Sequence, residues 1–296
     1  MEIVFLGTGA MVPTEKRSQV ATLVSIGKEN ILVDCGEGTQ RQFRLAKISP
    51  IKLSRILITH WHGDHVVGLP GLLQTMKKGG YVNRLHLYGP KGTSKFFNHM
   101  TQSFLFYARP LIHVEEVSGG TVFETEDFIV KAKSVNHSCP CLAYSFIEND
   151  KLNIDKTYLK KKGIKSNPLL KDLKEKKDIV IKGEKISWKK ATKLVKGRKI
   201  TFILDTAYTD SVVSFAKDSD ILVCEATHMQ DLAEKSKKYK HLTSQQAATI
   251  AKKSKVKKLV LTHFSQRYTS VNDLLKEAKK VFKNTVCAED FMKIKL

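Results

Sequence analysis

The chain has 296 residues, long enough to bury a sizeable core as one large α/β domain or as one domain with an insertion. Its formal net charge of +22 favours a polyanionic partner, RNA or DNA ahead of a membrane surface, although generic lysine richness is an alternative source. Five cysteines are too few for a disulfide scaffold and fit a reducing compartment. No apolar run is long enough to span a bilayer, so we expect a cytoplasmic protein without a membrane segment.

Apolar and amphipathic runs predict alternating strands and helices along the chain. The first apolar residues read as a strand rather than a signal peptide. The predicted strands cover residues 3–6, 20–26, 30–34, 56–58, 85–88, 112–117, 128–134, 143–147, 202–205, 221–224, 258–262 and 285–288. The predicted helices cover residues 70–78, 94–104, 155–162, 187–195, 243–253 and 271–282, and a polar loop is expected before His241.

One of these strands ends directly in three histidines and a carboxylate: His60, His62, Asp64 and His65. Successive strand residues point to opposite faces, so His60 and His62 project from the same side. Gly63 permits a sharp turn, after which Asp64 and His65 can point into the same space. Imidazole and carboxylate groups suit divalent metals such as zinc, and four donors this close indicate more than one ion. The alternative is a polar turn with chance histidines.

An internal similarity links the two halves of the chain. Predicted strands end in aspartate at Asp34 and Asp205, and two others end in a Thr-His pair at His60 and His263. This pattern indicates a pseudo-symmetric pair of sheets whose strand ends meet at one site, with chance recurrence as the alternative.

Residues 151–198 differ in composition from the rest of the chain. They hold 17 Lys or Arg and five Asp or Glu, a net charge of +12, with scattered apolar residues and a break at Asn167 and Pro168. We interpret the segment as a basic arm inserted into the domain, and a solvated, partly disordered loop is the alternative.

The run THWHGDH at residues 59–65 resembles the His-x-His-x-Asp-His signature of the metallo-β-lactamase superfamily. Its continuation GLPGLL at residues 68–73 is similar to one branch, the ribonuclease Z family of tRNA 3′-processing endoribonucleases. The resemblance implies a four-layer αββα sandwich spanning residues 1–296, with residues 151–198 as an inserted arm that grips tRNA. It also implies a homodimer acting on precursor tRNA.

The same resemblance implies two zinc ions per subunit. It assigns His60, His62 and His137 to one ion, Asp64, His65 and His263 to the other, and Asp205 as the bridge between them. The ions would lower the pKa of a water molecule, and the resulting hydroxide would attack the phosphodiester. Asp34 is expected to orient the histidines of the first ion from behind.

The leaving 3′-oxygen needs a proton, and the resemblance suggests His241 as the general acid, oriented by Glu225. Cys224 and Leu242 stand where the family strings carry His and Ser, while Glu225 and His241 themselves are present. Asp64 is also a candidate to accept the proton that the attacking water releases. The resemblance also implies that the loop at residues 13–18 contacts the substrate, with Arg17 as its basic residue.

The expected reaction removes the 3′ trailer from precursor tRNA, leaving a 3′-hydroxyl on the tRNA and a 5′-phosphate on the trailer. One alternative is a small-molecule hydrolase of the same superfamily, a lactonase or sulfatase, which has no need for a basic arm. Another is a non-catalytic RNA-binding module, which predicts missing metal ligands.

Overall fold

The computed structural model of the protein describes residues 1–105, 110–181 and 183–296. Its contacts divide the chain into two compact units. The first unit comprises Met1–Ile147 and Lys199–Leu296, and the second comprises Glu148–Arg198. The segment predicted as an arm, residues 151–198, falls within the second unit, and Lys182 in it lies outside the described residues.

Both units combine strands and helices. The strands are β1 Glu2–Gly7, β2 Gly9–Ala10, β3 Ala21–Ile26, β4 Glu29–Val33, β5 Arg55–Leu57, β6 Arg84–Gly89, β7 Leu111–Glu116, β8 Gly119–Glu124, β9 Phe128–Val135, β10 Cys141–Glu148, β11 Lys151–Ile154, β12 Ile179–Ile181, β13 Glu184–Ile186, β14 Thr192–Val195, β15 Lys199–Ile203, β16 Ile221–Glu225, β17 Lys258–Thr262, β18 Phe264–Ser265, β19 Thr285–Cys287 and β20 Lys293–Lys295. The helices are α1 Thr39–Leu45, α2 Gly63–Val66, α3 Leu69–Lys78, α4 Thr93–Gln102, α5 Lys156–Lys161, α6 Leu170–Lys174, α7 Trp188–Ala191, α8 Asp210–Ala216, α9 Ala233–Tyr239, α10 Ser244–Lys253 and α11 Asn272–Val281.

The first unit is built on two seven-stranded sheets, ordered β20-β1-β3-β4-β5-β6-β7 and β19-β17-β16-β15-β10-β9-β8. Alternate residues of one strand serve different cores, because successive side chains point to opposite faces of a sheet. Ile3 and Phe5 belong to the core shared by both sheets, whereas Val4 and Leu6 pack in a core with α1 and α3. A third core joins the other sheet to α10 and α11. The predicted αββα sandwich is therefore confirmed.

The ends of several strands converge at one edge of this sandwich. β4 and β5 are parallel, as are β15, β16 and β17, so each group delivers its carboxyl ends to the same edge. Asp34, Asp205 and His263 follow such ends in the left-handed backbone region, with φ of 58°, 49° and 58°. The two halves are not exact copies, because β4 and β5 are neighbours whereas β16 separates β15 from β17.

The second unit has its own small apolar core, which consists of Leu159, Leu173, Ile179, Ile186 and Ala191. Its strands form two antiparallel pairs, β11 with β14 and β12 with β13. The helix predicted over residues 187–195 is wrong in its second half. α7 ends at Ala191, and the following residues pair with β11 as a strand, which favours the β-branched side chains there.

A second difference lies directly before His241. The expected polar loop contains a helix, α9, and its last turn closes with a hydrogen bond from His241 N to Ser236 O of 2.8 Å. The helix therefore fixes the point at which His241 enters the site. None of the helices among the described residues is both long enough and apolar enough to cross a bilayer.

Candidate metal centre and active site

The turn after β5 supplies the first four donors. The short helix α2 starts after His62, so that Asp64 and His65 turn back towards the strand end. His60 Nε2 lies 2.9 Å from His62 Nδ1, and His65 Nε2 lies 3.5 Å from Asp64 Oδ2. His60 and His65 are fully buried, which removes competing water from their ring nitrogens.

The remaining three donors come from distant parts of the first unit. His137 Nε2, after β9, lies 3.2 Å from His62 Nδ1, and His263 Nε2, after β17, lies 3.4 Å from Asp64 Oδ2. Asp205, after β15, is central. Its Oδ2 is 3.6 Å from His60 Nε2, 3.5 Å from His65 Nε2 and 3.9 Å from His137 Nε2. All seven side chains predicted as metal ligands are thus brought together.

The chemistry of this donor set fits a metal ion. Possible ligand atoms lie within 4.8 Å of one another in two groups drawn from the seven donors: His60, His62, His137 and Asp205; and Asp64, His65 and His263. His65 Nε2 is buried without a hydrogen bond, although it lies 3.5 Å from both Asp64 Oδ2 and Asp205 Oδ2. Burial lowers the pKa of His60 well below its usual value, which keeps the imidazole neutral and able to donate a lone pair.

The predicted general acid, His241, and its partner, Glu225, lie next to these donors. Glu225 is fully buried and accepts hydrogen bonds from Thr206 N (2.7 Å), Thr227 Oγ1 (2.7 Å) and His241 Nδ1 (3.0 Å). Burial lowers the pKa of His241, but the nearby carboxylates of Glu225 and Asp205 outweigh it and raise that pKa to about 9. The His241 side chain remains 18% exposed, so it can reach a bound molecule.

Comparisons with known proteins decide the family. A model of the metallo-β-lactamase superfamily matches residues 14–149. The chain is 38% identical to "Ribonuclease Z" of Pyrococcus horikoshii over 99% of this chain and 95% of that one. It is 40% identical to "Ribonuclease Z" of Bacillus thuringiensis (strain Al Hakam), over 98% of this chain and 97% of that one. The chain belongs to the ribonuclease Z family.

A solved structure agrees with this assignment. The crystal structure of human tRNase Z, short form, superposes with a TM-score of 0.70 and 30% identity, covering 100% of this chain and 99% of the other. The resemblance found at residues 59–73 is confirmed, and the chain is accordingly an endoribonuclease of the hydrolase class. Its His and Asp clusters match the use of metal by this superfamily.

In this ribonuclease Z family member, Asp34 differs from expectation. It accepts hydrogen bonds from Thr59 N (2.7 Å), Thr59 Oγ1 (2.8 Å) and His65 Nδ1 (2.8 Å). It therefore orients His65, a histidine predicted for the second ion, and reaches His60 only through Thr59 Oγ1. Nδ1 of His65 faces Asp34, so its Nε2 faces the centre, where a bound metal would find it.

Arg17 makes contacts within the protein that the sequence did not suggest. Its Nη1 donates to Thr8 Oγ1 (2.7 Å) and to Ala288 O (2.9 Å), so the guanidinium ties its own loop to a distant segment. Asp290 Oδ2 accepts from Ser18 N at 2.8 Å and completes the tie. A cavity of about 350 Å³ adjoins this loop, lined on its other side by residues 264–266, 268 and 269.

Three contributors were missed from the sequence. Thr227 Oγ1 lies 3.0 Å from His263 Nδ1 and donates to Glu225, so it connects a predicted ligand with the predicted acid pair. Met11 N donates to Asp64 Oδ2 at 2.8 Å, and Asp290 holds the loop. Only Thr227 carried a signal, because it stands in the string that contains Glu225. The other two act through the backbone or across the fold.

Proposed function

We propose that this enzyme removes the 3′ trailer from precursor tRNA and does so with two zinc ions per subunit. One observation carries the proposal: seven imidazole and carboxylate donors from both sheets converge at one buried centre in a ribonuclease Z family member. The names of its relatives, "Ribonuclease Z" and "tRNase Z", support tRNA as the substrate class.

We divide the residues between two ions as the family resemblance implies, and two of the groups of neighbouring donors support this division. His60, His62 and His137 would hold one ion, Asp64, His65 and His263 the other, and Asp205 would bridge them. Asp205 suits this role because its Oδ2 faces histidines of both sets. The ions, when bound, supply a hydroxide at neutral pH and stabilise negative charge that develops on the phosphate.

We assign proton transfer to residues of the chain. His241, oriented by Glu225 and partly exposed, donates a proton to the departing 3′-oxygen of the ribose. Asp64 has a second task beside its place at the centre, acceptance of the proton that the attacking water releases. Met11 N–H bonds to Asp64 Oδ2 and holds that carboxylate in place.

The arm at residues 151–198 is proposed to bind the folded body of the tRNA through its phosphates, because it carries a net charge of +12. Binding should therefore weaken steeply with salt. We also propose that the enzyme works as a homodimer in the cytoplasm. Size measurement by light scattering tests the dimer, and a monomer at working concentration would contradict it.

The central experiment uses purified protein and a tRNA transcript with a 3′ trailer, followed by mapping of product ends with and without a chelator. We expect a single cut after the discriminator nucleotide, abolished by chelation and restored by zinc. If cleavage continues after the chelator has removed all bound zinc, the metal mechanism is rejected. If the precursor stays intact under all conditions, precursor tRNA is rejected as the substrate.

Deletion of residues 151–198 separates this proposal from a small-molecule hydrolase. The shortened enzyme should lose tRNA cleavage yet still hydrolyse bis(p-nitrophenyl) phosphate, because the metal donors all lie outside the deletion. A small-molecule hydrolase would turn over its own substrate nearly unchanged after the same deletion.

A further inference from the structure

Lys240 makes two hydrogen bonds to one predicted metal ligand across 103 positions of sequence. Its Nζ donates to His137 O at 2.9 Å, and its own carbonyl oxygen lies 3.1 Å from His137 Nδ1. A carbonyl only accepts, so Nδ1 of His137 must carry the proton. The Nε2 lone pair of His137 is then directed at His62 and Asp205.

We propose that Lys240 is a positioning residue for the metal centre, one that fixes the ring orientation and tautomer of His137. This inference rests on the proposed function, because it needs His137 to bind zinc. A ligating histidine commonly donates its second ring N–H to an acceptor that sets the tautomer, and loss of such a partner lowers metal affinity. Here the acceptor is the backbone carbonyl of Lys240, and the ammonium group of Lys240 binds the backbone carbonyl of His137.

The backbone at Lys240 supports this role. The residue ends α9 with φ 55° and ψ 51°, a left-handed conformation that glycine adopts at lower cost than lysine. A lysine side chain held there by His137 O gives the strained conformation a compensating contact. The same left-handed turn lets His241 N bond to Ser236 O, so one residue sets both the metal ligand and the acid.

The position of the ammonium argues against a simple RNA contact. Lys240 is half-buried and its Nζ bonds to His137 O, whereas Lys238 on the same helix is exposed with its Nζ 5.6 Å from the centre of the Tyr239 ring. The two lysines lie two residues apart and carry the same charge. Lys238 is therefore a matched control for the loss of one positive charge near the site.

The test measures zinc affinity by competition with a chelator in the full-length protein. Lys240→Met removes the bond from Nζ to His137 O but keeps the carbonyl that accepts from Nδ1, so it should weaken binding of one zinc ion about tenfold, the lower end of the effect of losing a partner behind a ligand. Lys240→Gly, which relieves the backbone, should weaken it as well, whereas Lys240→Arg should restore much of the affinity. Lys238→Met should leave zinc affinity unchanged.

Kinetics on precursor tRNA provide the second readout. Lys240→Met should lower kcat at limiting zinc while KM stays within about twofold, and excess zinc should recover kcat. Equal zinc affinity in Lys240→Met, Lys238→Met and the unsubstituted protein would overturn the inference, as would a rise in KM alone. If the unsubstituted protein binds no zinc, both the proposed function and the inference about Lys240 are rejected. If it binds zinc and cleaves precursor tRNA, the Lys240 variants test the inference alone.

Discussion

Two buried carboxylates on opposite sheets make closely similar contacts. Asp34 accepts from a backbone N–H, a threonine hydroxyl and the Nδ1 of His65. Glu225 likewise accepts from a backbone N–H, a threonine hydroxyl and the Nδ1 of His241. Each carboxylate is fully buried, and each fixes one imidazole by the same chemistry.

The two imidazoles differ in what surrounds their outer edge. The side chain of His65 is 0% exposed and its Nε2 faces two carboxylates, which is the environment of a ligand. The side chain of His241 is 18% exposed and is free on that side to meet a substrate. The same carboxylate support thus fits the proposed ligand role where the ring is enclosed and the proposed proton-donor role where it is open. Asp205, Glu225, His241 and His263 also form a possible metal-binding group, and substitution of His241 separates the ligand role from the acid role.

The largest expected loss of activity comes from removing Asp64, which is proposed both as a metal ligand and as the acceptor of the proton from water. Asp64→Ala should lower kcat about 10⁴-fold or more, because several kcal/mol of charge stabilisation are lost with the second ion. Zinc content, measured by elemental analysis, should fall too. Asp273→Ala, which removes an exposed carboxylate on α11, is the control and should behave as the unsubstituted enzyme. An active Asp64→Ala enzyme would reject the metal mechanism.

Substitution of His241 tests whether this residue acts as a general acid or as a metal ligand. His241→Gln should lower kcat on precursor tRNA about 10²–10⁴-fold, the usual contribution of a general acid. Hydrolysis of bis(p-nitrophenyl) phosphate should suffer far less, because nitrophenolate leaves without a proton. Zinc content should be unchanged. Loss of zinc, or equal losses on both substrates, would show that His241 is a ligand instead.

The two carboxylates themselves form a matched pair of variants. Asp34→Asn should weaken zinc binding about 10–100-fold, since it loosens a ligand, and excess zinc should restore activity. Glu225→Gln should keep zinc affinity while lowering kcat about tenfold or more, since it loosens the acid. Chelator competition and steady-state kinetics on both variants decide the matter. If the two variants behave identically, Asp34 and Glu225 do not differ in function.

A third carboxylate, Glu148, lies near the surface, where the loss of an ion pair should have a smaller effect on stability. Burial opposes ionisation of Glu148, but hydrogen bonds from Arg198 Nε and Nη2 lower its pKa to about 2. The pair should therefore stabilise the protein fully above pH ~4.5 and lose that contribution as pH falls towards 2. Because the pair is partly exposed, Glu148→Gln should cost at most about 1 kcal/mol at pH 7.

Thermal unfolding at pH 7 and pH 3 measures this effect. The difference between Glu148→Gln and the unsubstituted protein should shrink at pH 3, where the carboxylate begins to be protonated. An equal difference at both pH values would mean that charge at Glu148 contributes nothing to stability.

The sequence predicted parts of this centre unequally. The turn from His60 to His65 was readable because its donors follow one strand, whereas His137 and His263 stand alone and depended on the family resemblance. Asp34 was assigned to the wrong histidine, because its neighbours are set by the pairing of β4 with β5 and by a left-handed backbone. Neither feature can be read from residue types.

The elements show the same limit. Strands with apolar runs were predicted closely, as at β17, where predicted and observed bounds agree. Helix α9 was missed because its sequence, AEKSKKY, has no apolar stripe and buries only Ser236. Residues 192–195 were predicted as helix, but pairing with β11 overrode local preference.

The tie between Arg17, Ala288 and Asp290 has a consequence for biosynthesis. The loop at residues 13–18 is fastened by residues that the ribosome adds 271 and 272 positions after Arg17 and Ser18. A nascent chain therefore cannot secure that loop until Asp290 has emerged from the exit tunnel. Chains truncated before Ala288 should be cut faster by protease at residues 13–18, and equal resistance would show that the loop closes without this tie.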